Sequence, residues 1–296
     1  MARLATLFTI LAFLAPQASA APPASMADIL AASPPSDWRA LDPANTIYLQ
    51  LPKGRVIIEL APSFAPHHVA NIKTLIREGY FDGLAIVRVQ DDYVVQWADP
   101  DGKRPLGAAA ASVKAEFDRA YDIAEPFTPL PDPDTYAPST GFADGFPAAR
   151  DPLSGKTWLT HCYGMVGVGR GNDADSGGGT ELYAVIGHAP RQLDRNVTLV
   201  GRVVRGVDLL SSLPRGTETL GFYKTTAERT PILSMKLAAD VAPGDRAPLE
   251  ALRTDSTTFE ALLHNRRFRH DDWYKTPAGR IDVCNMPLPV RDVGGQ

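Results

Sequence analysis

The fold is read from Thr46-Ile47-Tyr48-Leu49-Gln50-Leu51, then Pro52-Lys53-Gly54, then Arg55-Val56-Ile57-Ile58-Glu59-Leu60. Two apolar, β-branched runs of strand length are separated by a Pro and a Gly, which predicts a hairpin. Beyond it Pro66 opens a helix, with Val69, Ile72, Leu75 and Ile76 at helical spacing and Gly79 at its C-terminal stop. Leu84–Val89 and Tyr93–Trp97 follow as two more strands, joined by Gln90-Asp91-Asp92. From Pro105 to Leu159 the periodicity dissolves among eight prolines, so this stretch is expected as a long loop packed on the domain. Strand-like runs return at Gly164–Val168, Leu182–Ile186 and Val197–Val204, followed by a short helix over Asp208–Leu213 and a closing strand over Ile232–Leu237. Many short strands with two helices predict a closed β-barrel, since closure removes exposed sheet edges.

Composition narrows the function. The chain has 296 residues, 44% hydrophobic and 22% charged, which excludes wholesale disorder. Gly 24 and Pro 26 argue against long helices, and a net charge of −4 gives no general footprint for nucleic acid. Met1 to Ala20 carries Arg3, an apolar run from Leu4 to Ala15 and Ala18-Ser19-Ala20, the pattern of an export leader cleaved after Ala20. The apolar run is too short for a stable membrane span, so a periplasmic location is expected after cleavage. Residues 21–44 read as an exposed lead-in, and residues 241–296 as a C-terminal extension whose helical spacing runs from Pro248 to Arg269. Cys162 and Cys284 would form a disulfide in an oxidising compartment; two separate buried thiols are the alternative.

Several chemistries drop out. The sequence has no G-x-S-x-G, no H-E-x-x-H and no glycine-rich phosphate loop, and two cysteines with six scattered histidines make no zinc pattern. His67-His68 read as surface residues of a helix's first turn rather than metal ligands. Asp173, Asp175 and Gly178 match positions of a calcium loop, but Gly177 and Ala184 stand where carboxylates are needed. A Gly-rich turn whose Asp side chains bond its own backbone is the better reading, and no metal or cofactor is expected. Arg266-Arg267-Phe268-Arg269, near Trp273 and Tyr274, read as a solvated helix end.

What remains is a constellation in a set order. Gly54–Pro62, Ala65-Pro66, Val69-Ala70-Asn71, Gly79–Gly83, Val87-Arg88-Val89 with Gln96, Gly164–Asp173 and Val200–Gly206 resemble the cyclophilin-type peptidyl-prolyl isomerases over residues 45–240. The resemblance implies an eight-stranded barrel capped by two helices that acts on X-Pro bonds without a cofactor. It places the catalytic Arg on Arg88 and a backbone-holding Gln on Gln96. Tyr93, Val94, Tyr183 and Leu193 fall on walls of a proline pocket, with Gly169, Arg170 and Glu181 where peptide passes. The chain departs from the family pattern at Ile86-Val87, Glu181, Gln192 and Val197, and at Trp97-Ala98-Asp99, where Trp97 would add bulk near the groove. The implied partners are proline-containing segments of unfolded or folding exported proteins, the alternative being a catalytically weakened, proline-binding chaperone or assembly factor.

Overall fold

A computed structural model describes residues 24–293. The expected leader, Met1 to Ala20, lies outside the described residues. The chain begins with α1 (Met26–Ala31) and β1 (Trp38–Ala40), then the hairpin β2 (Thr46–Leu51) and β3 (Gly54–Leu60), α2 (Pro66–Arg77), β4 (Ala85–Val89) and β5 (Val94–Ala98). Next come β6 (Arg119–Ala120), β7 (Thr128–Pro129), β8 (Ser139–Ala143), β9 (Phe146–Asp151) and β10 (Lys156–Leu159). After them stand β11 (Met165–Val168), β12 (Leu182–Val185), β13 (Leu199–Arg205) and α3 (Val207–Ser211). The chain ends through β14 (Thr230–Pro231), β15 (Ser234–Leu237), β16 (Leu249–Leu252), α4 (Thr257–Phe268) and β17 (Val290–Asp292).

The hairpin forms as the sequence predicts, with Thr46 opposite Glu59 and Leu51 opposite Gly54 across a Pro52-Lys53 turn. It belongs to a sheet of order β14-β4-β5-β12-β11-β13-β3-β2-β15. Its two outer members are halves of one broken strand. Thr230 and Pro231 pair with β4, Ser234 to Leu237 pair with β2, and between them Ile232 N–H donates to Leu84 O and Leu233 N–H to Gln50 O. Counted as one strand, residues 230–237 close an eight-stranded barrel. Alternate residues of the hairpin (Ile47, Leu49, Leu51, Val56, Ile58, Leu60) point into it, joined by Val69, Ile72, Leu75 and Ile76 of α2 and Leu210 of α3. Each such side chain, fully buried, contributes about 1.5–3 kcal/mol. The opposite hairpin face, Tyr48 and Ile57, is covered by Ala238 and Leu249.

Four expectations need correction. Residues 105–159 are not a loop throughout: they hold a five-stranded antiparallel sheet of order β6-β10-β9-β8-β7. Its strands hide in the sequence because Gly141, Pro147, Ala148 and Ala149 dilute the alternation, and Pro129 sits on the edge strand, where no ladder donor is needed. The lead-in is not simply exposed, since Trp38 and Asp37 are buried and β1 pairs with β16. Asp37 reaches α4, where its carboxylate accepts from Thr258 N–H at 3.1 Å and Thr258 Oγ1 at 2.6 Å. The C-terminal helix starts at Thr257 rather than Pro248, because Ser256 caps it and Leu249–Leu252 is claimed by β1 and β17. His68 is buried rather than on the surface. The Glu116 carboxylate accepts from its Nδ1 at 2.7 Å and from the backbone N–H groups of His67 and His68, so it caps α2.

A second core joins Phe142, Phe146 and Leu159 of the inserted sheet to Phe259 and Leu262 of α4 and to Trp38. Cys162, just before β11, is disulfide-bonded to Cys284 in the extension. Insertion, lead-in and extension thus form one body packed beside the barrel.

Candidate active site

On the barrel's outer face β4, β5, β11 and β12 border a cavity of about 320 Å³. Arg88, Tyr93, Val94, Gln96, Gly169, Arg170, Glu181, Tyr183 and Leu193 all line it, with Val168 and Val197. Strand periodicity brings them together. On β12, Leu182 and Ala184 face the core while Tyr183 and Val185 face out, and on β5 Val95 and Trp97 face in while Val94 and Gln96 face out. Trp97 is therefore fully buried inside the barrel and adds no bulk to the groove, contrary to the sequence reading. Gln192 is exposed and not part of the cavity wall.

A register shift between Ile86 and Arg88 sets Arg88 opposite Gln96. The guanidinium is held on three sides. Nε donates to Leu220 O at 2.6 Å, Nη1 to Gln96 Oε1 at 3.2 Å, and Nη2 to Gln90 Oε1. Tyr93 and Phe222 rings flank it at 5.5 and 5.4 Å. Leu220 adopts a left-handed φ of 61° at this contact, a conformation costing a β-carbon residue about 1–2 kcal/mol. Burial holds the Arg88 pKa below its ordinary value, with Tyr93 opposing, yet a guanidinium stays charged. An arginine has five N–H donors, so beyond these three bonds two remain.

Gln96 is oriented as well. Its Oε1 accepts a hydrogen bond from Arg88 Nη1, so its Nε2 faces and donates to Glu181 Oε2 at 2.9 Å. Gly169 keeps this corner open: a β-carbon there would come within 2.8 Å of Glu181 Cβ. Arg170 turns aside, donating from Nε to Asn196 O at 2.9 Å. Val94, Tyr183 and Val185, with Tyr93 and Val197, form an apolar cluster separate from the barrel core. Tyr183 lies over Gly167, whose missing β-carbon would stand 2.3 Å from the Tyr183 ring. The cavity thus pairs an apolar wall with a fixed cation.

The Asp173 loop behaves as a turn. Asp173 accepts from Asp175 N–H, and Asp175 Oδ1 accepts from Ala115 N–H at 2.8 Å. A larger cavity of about 420 Å³ lies between insertion and extension, lined in part by Asp132, Asp134, Arg266, Arg269 and Arg280. In its walls Asp132 pairs with Arg267 and Asp134 with Arg191. Gln90, Leu220 and Phe222 were missed by the sequence reading. Gln90 stands two residues after Arg88, a spacing that could have flagged it, whereas nothing local marks Leu220 or Phe222.

Residues 46–237 match the profile of the family described as cyclophilin type peptidyl-prolyl cis-trans isomerase/CLD. The chain belongs to that family. A probable peptidyl-prolyl cis-trans isomerase of Brucella suis is 29% identical over 180 residues, covering 60% of this chain and 76% of the relative. A crystal structure of a cyclophilin from Hirschia baltica superposes with a TM-score of 0.70 at 29% identity, covering 90% of this chain and 97% of that one. The similarity to the Hirschia cyclophilin thus extends well beyond the barrel. The chain is a cyclophilin-type peptidyl-prolyl cis-trans isomerase.

Proposed function

We propose that this cyclophilin isomerises X-Pro bonds of exported proteins, with Arg88 as the catalytic residue and Gln96 holding the substrate backbone. The observation that carries the reading is the Arg88 guanidinium, fixed by Gln96, Gln90 and the Leu220 carbonyl at the edge of an apolar cavity. Isomerisation needs no proton transfer or covalent intermediate, only loss of amide resonance against a barrier of about 18–20 kcal/mol. A proline ring packed among Val94, Tyr183, Leu193 and Val197 would set its imide nitrogen toward the two remaining Arg88 donors. A cationic donor there favours the twisted amide, whose nitrogen lone pair is localised, over the planar ground state. Gly169 and Glu181 leave room for the chain preceding the proline.

Export is supported by the leader's composition and by the Cys162–Cys284 bond, of a kind that oxidising compartments preserve. Cleavage after Ala20 would release the protein into the periplasm. The test is a protease-free exchange assay on the chain starting at Ala21. Arg88→Ala is expected to lower kcat/KM about 100-fold, the scale of losing one preorganised charged donor, with the fold intact. Undiminished turnover in folded Arg88→Ala would overturn the assignment of Arg88. Peptide binding without rate enhancement in the parent protein would select the chaperone reading, for which Val197 in the cavity wall is the supporting feature.

A further inference from the structure

Behind the cavity wall runs a buried polar chain that the isomerisation chemistry does not use. The Tyr183 hydroxyl lies 2.9 Å from His161 Nε2, and His161 Nδ1 lies 2.9 Å from Asp194 Oδ1. Asp194 Oδ2 accepts from Arg191 Nε at 2.6 Å, and Arg191 donates both Nη groups to Asp134 at 3.0 Å each. Every member is buried, His161 completely. The bonding directions follow from chemistry. A carboxylate only accepts, so His161 Nδ1 carries the proton, and in that tautomer Nε2 is left as the acceptor for the Tyr183 hydroxyl. Burial raises the Tyr183 pKa, so the phenol keeps that proton.

We infer that His161 is a positioning residue for substrate binding, acting through Tyr183. The inference rests on the cavity being the proline site. A tyrosine on a wall can rock about its two side-chain torsions; this one is held at its hydroxyl end, which lies over Gly167 and beside His161. The same chain grips the second wall, because Arg191 and Asp194 bracket Leu193 in a single turn. Its far end, Asp134, belongs to the inserted segment, and Cys162 next to His161 is bonded to the extension. The added body thereby braces the pocket. Burying five ionisable groups is costly unless each is paired, and pairing with such directionality fixes one geometry rather than simply adding stability.

The test separates peptide affinity from turnover by NMR exchange on the mature chain. His161→Asn keeps an amide near Asp194 but cannot reach Tyr183; His161→Gln can reach it. His161→Asn is expected to raise KM about tenfold with kcat changed less than about twofold, the effect of one lost buried hydrogen bond, and His161→Gln to recover most of that loss. In a Tyr183→Phe background, His161→Asn should add less than about twofold, since the two act as one unit. Full additivity, or a KM unchanged in folded His161→Asn, would overturn the inference. Should His161→Asn not fold, Tyr183→Phe alone decides: it loses one oxygen, and an unchanged KM refutes the role. A parent protein that binds no proline peptide at Tyr183 overturns the pocket reading and this inference together; normal binding with no effect of His161→Asn overturns only the latter.

Discussion

Replacing both Cys162 and Cys284 by Ala tests how the extension is secured. The bond closes a loop with a sequence separation of 122 residues. For that length the chain-entropy relation gives about 4.9 kcal/mol of stabilisation at 25 °C, acting through the unfolded state. The folded variant keeps the apolar contacts of Val283 and Met286 with the second core, so the extension should remain docked. We therefore expect a loss of about 3–5 kcal/mol. With a urea slope near the upper end for single domains, about 3 kcal/mol per molar, the midpoint should fall by about 1.0–1.7 M. Equilibrium urea unfolding followed by tryptophan fluorescence reads this directly, and reduced parent protein should match the variant. A midpoint shift below about 0.3 M with an unchanged slope would refute the entropic reasoning.

Two further expectations concern charge. Glu59 is buried between Arg39, at 2.6 Å, and Arg202, at 3.1 Å, and burial lowers the Arg202 pKa while Glu59 opposes it. Glu59→Gln should cost about 3–5 kcal/mol, because it leaves a desolvated guanidinium uncompensated, and scanning calorimetry should show the lower Tm. The hydrogen-bonded Arg267 guanidinium holds the Asp132 carboxyl below its ordinary pKa against an opposing burial effect, and Asp132 also accepts from Ile281 N–H. A depressed carboxyl stabilises the fold above the unfolded pKa of about 4 and loses that contribution as pH falls through the folded value. Asp132→Asn should therefore flatten the acid limb of stability below about pH 4 in urea titrations from pH 6 to 3, and an unchanged limb would assign the acid loss to other carboxyls.

The barrel was legible because its strands alternate cleanly and its helix carries Pro66 and Gly79 as punctuation. The nine candidate pocket residues were legible through family motifs, and the cavity does gather them. Trp97 shows where motif reading fails: the position beside Gln96 is assigned by counting, but the two-residue strand period turns its indole inward. The inserted sheet was illegible for another reason. Its short strands bury small residues: Ala148 lies in a core completed by Phe259, more than 100 residues later, and Ala149 packs with Ala137 and Trp158, so little local apolar period records the sheet. His68 misled in the same way, since the carboxylate that buries it, Glu116, comes from distant sequence.

Strand β1 pairs with β16, and β16 with β17, so residues 38–40 and 290–292 meet on the two sides of one central ribbon. An emerging polypeptide that has exposed Trp38 must therefore wait for nearly its whole length before this clasp can shut. Until then the second core stands open, with Phe142 and Phe146 awaiting Phe259. Such a late-closing architecture leaves apolar surface uncovered during synthesis until the last strands are made.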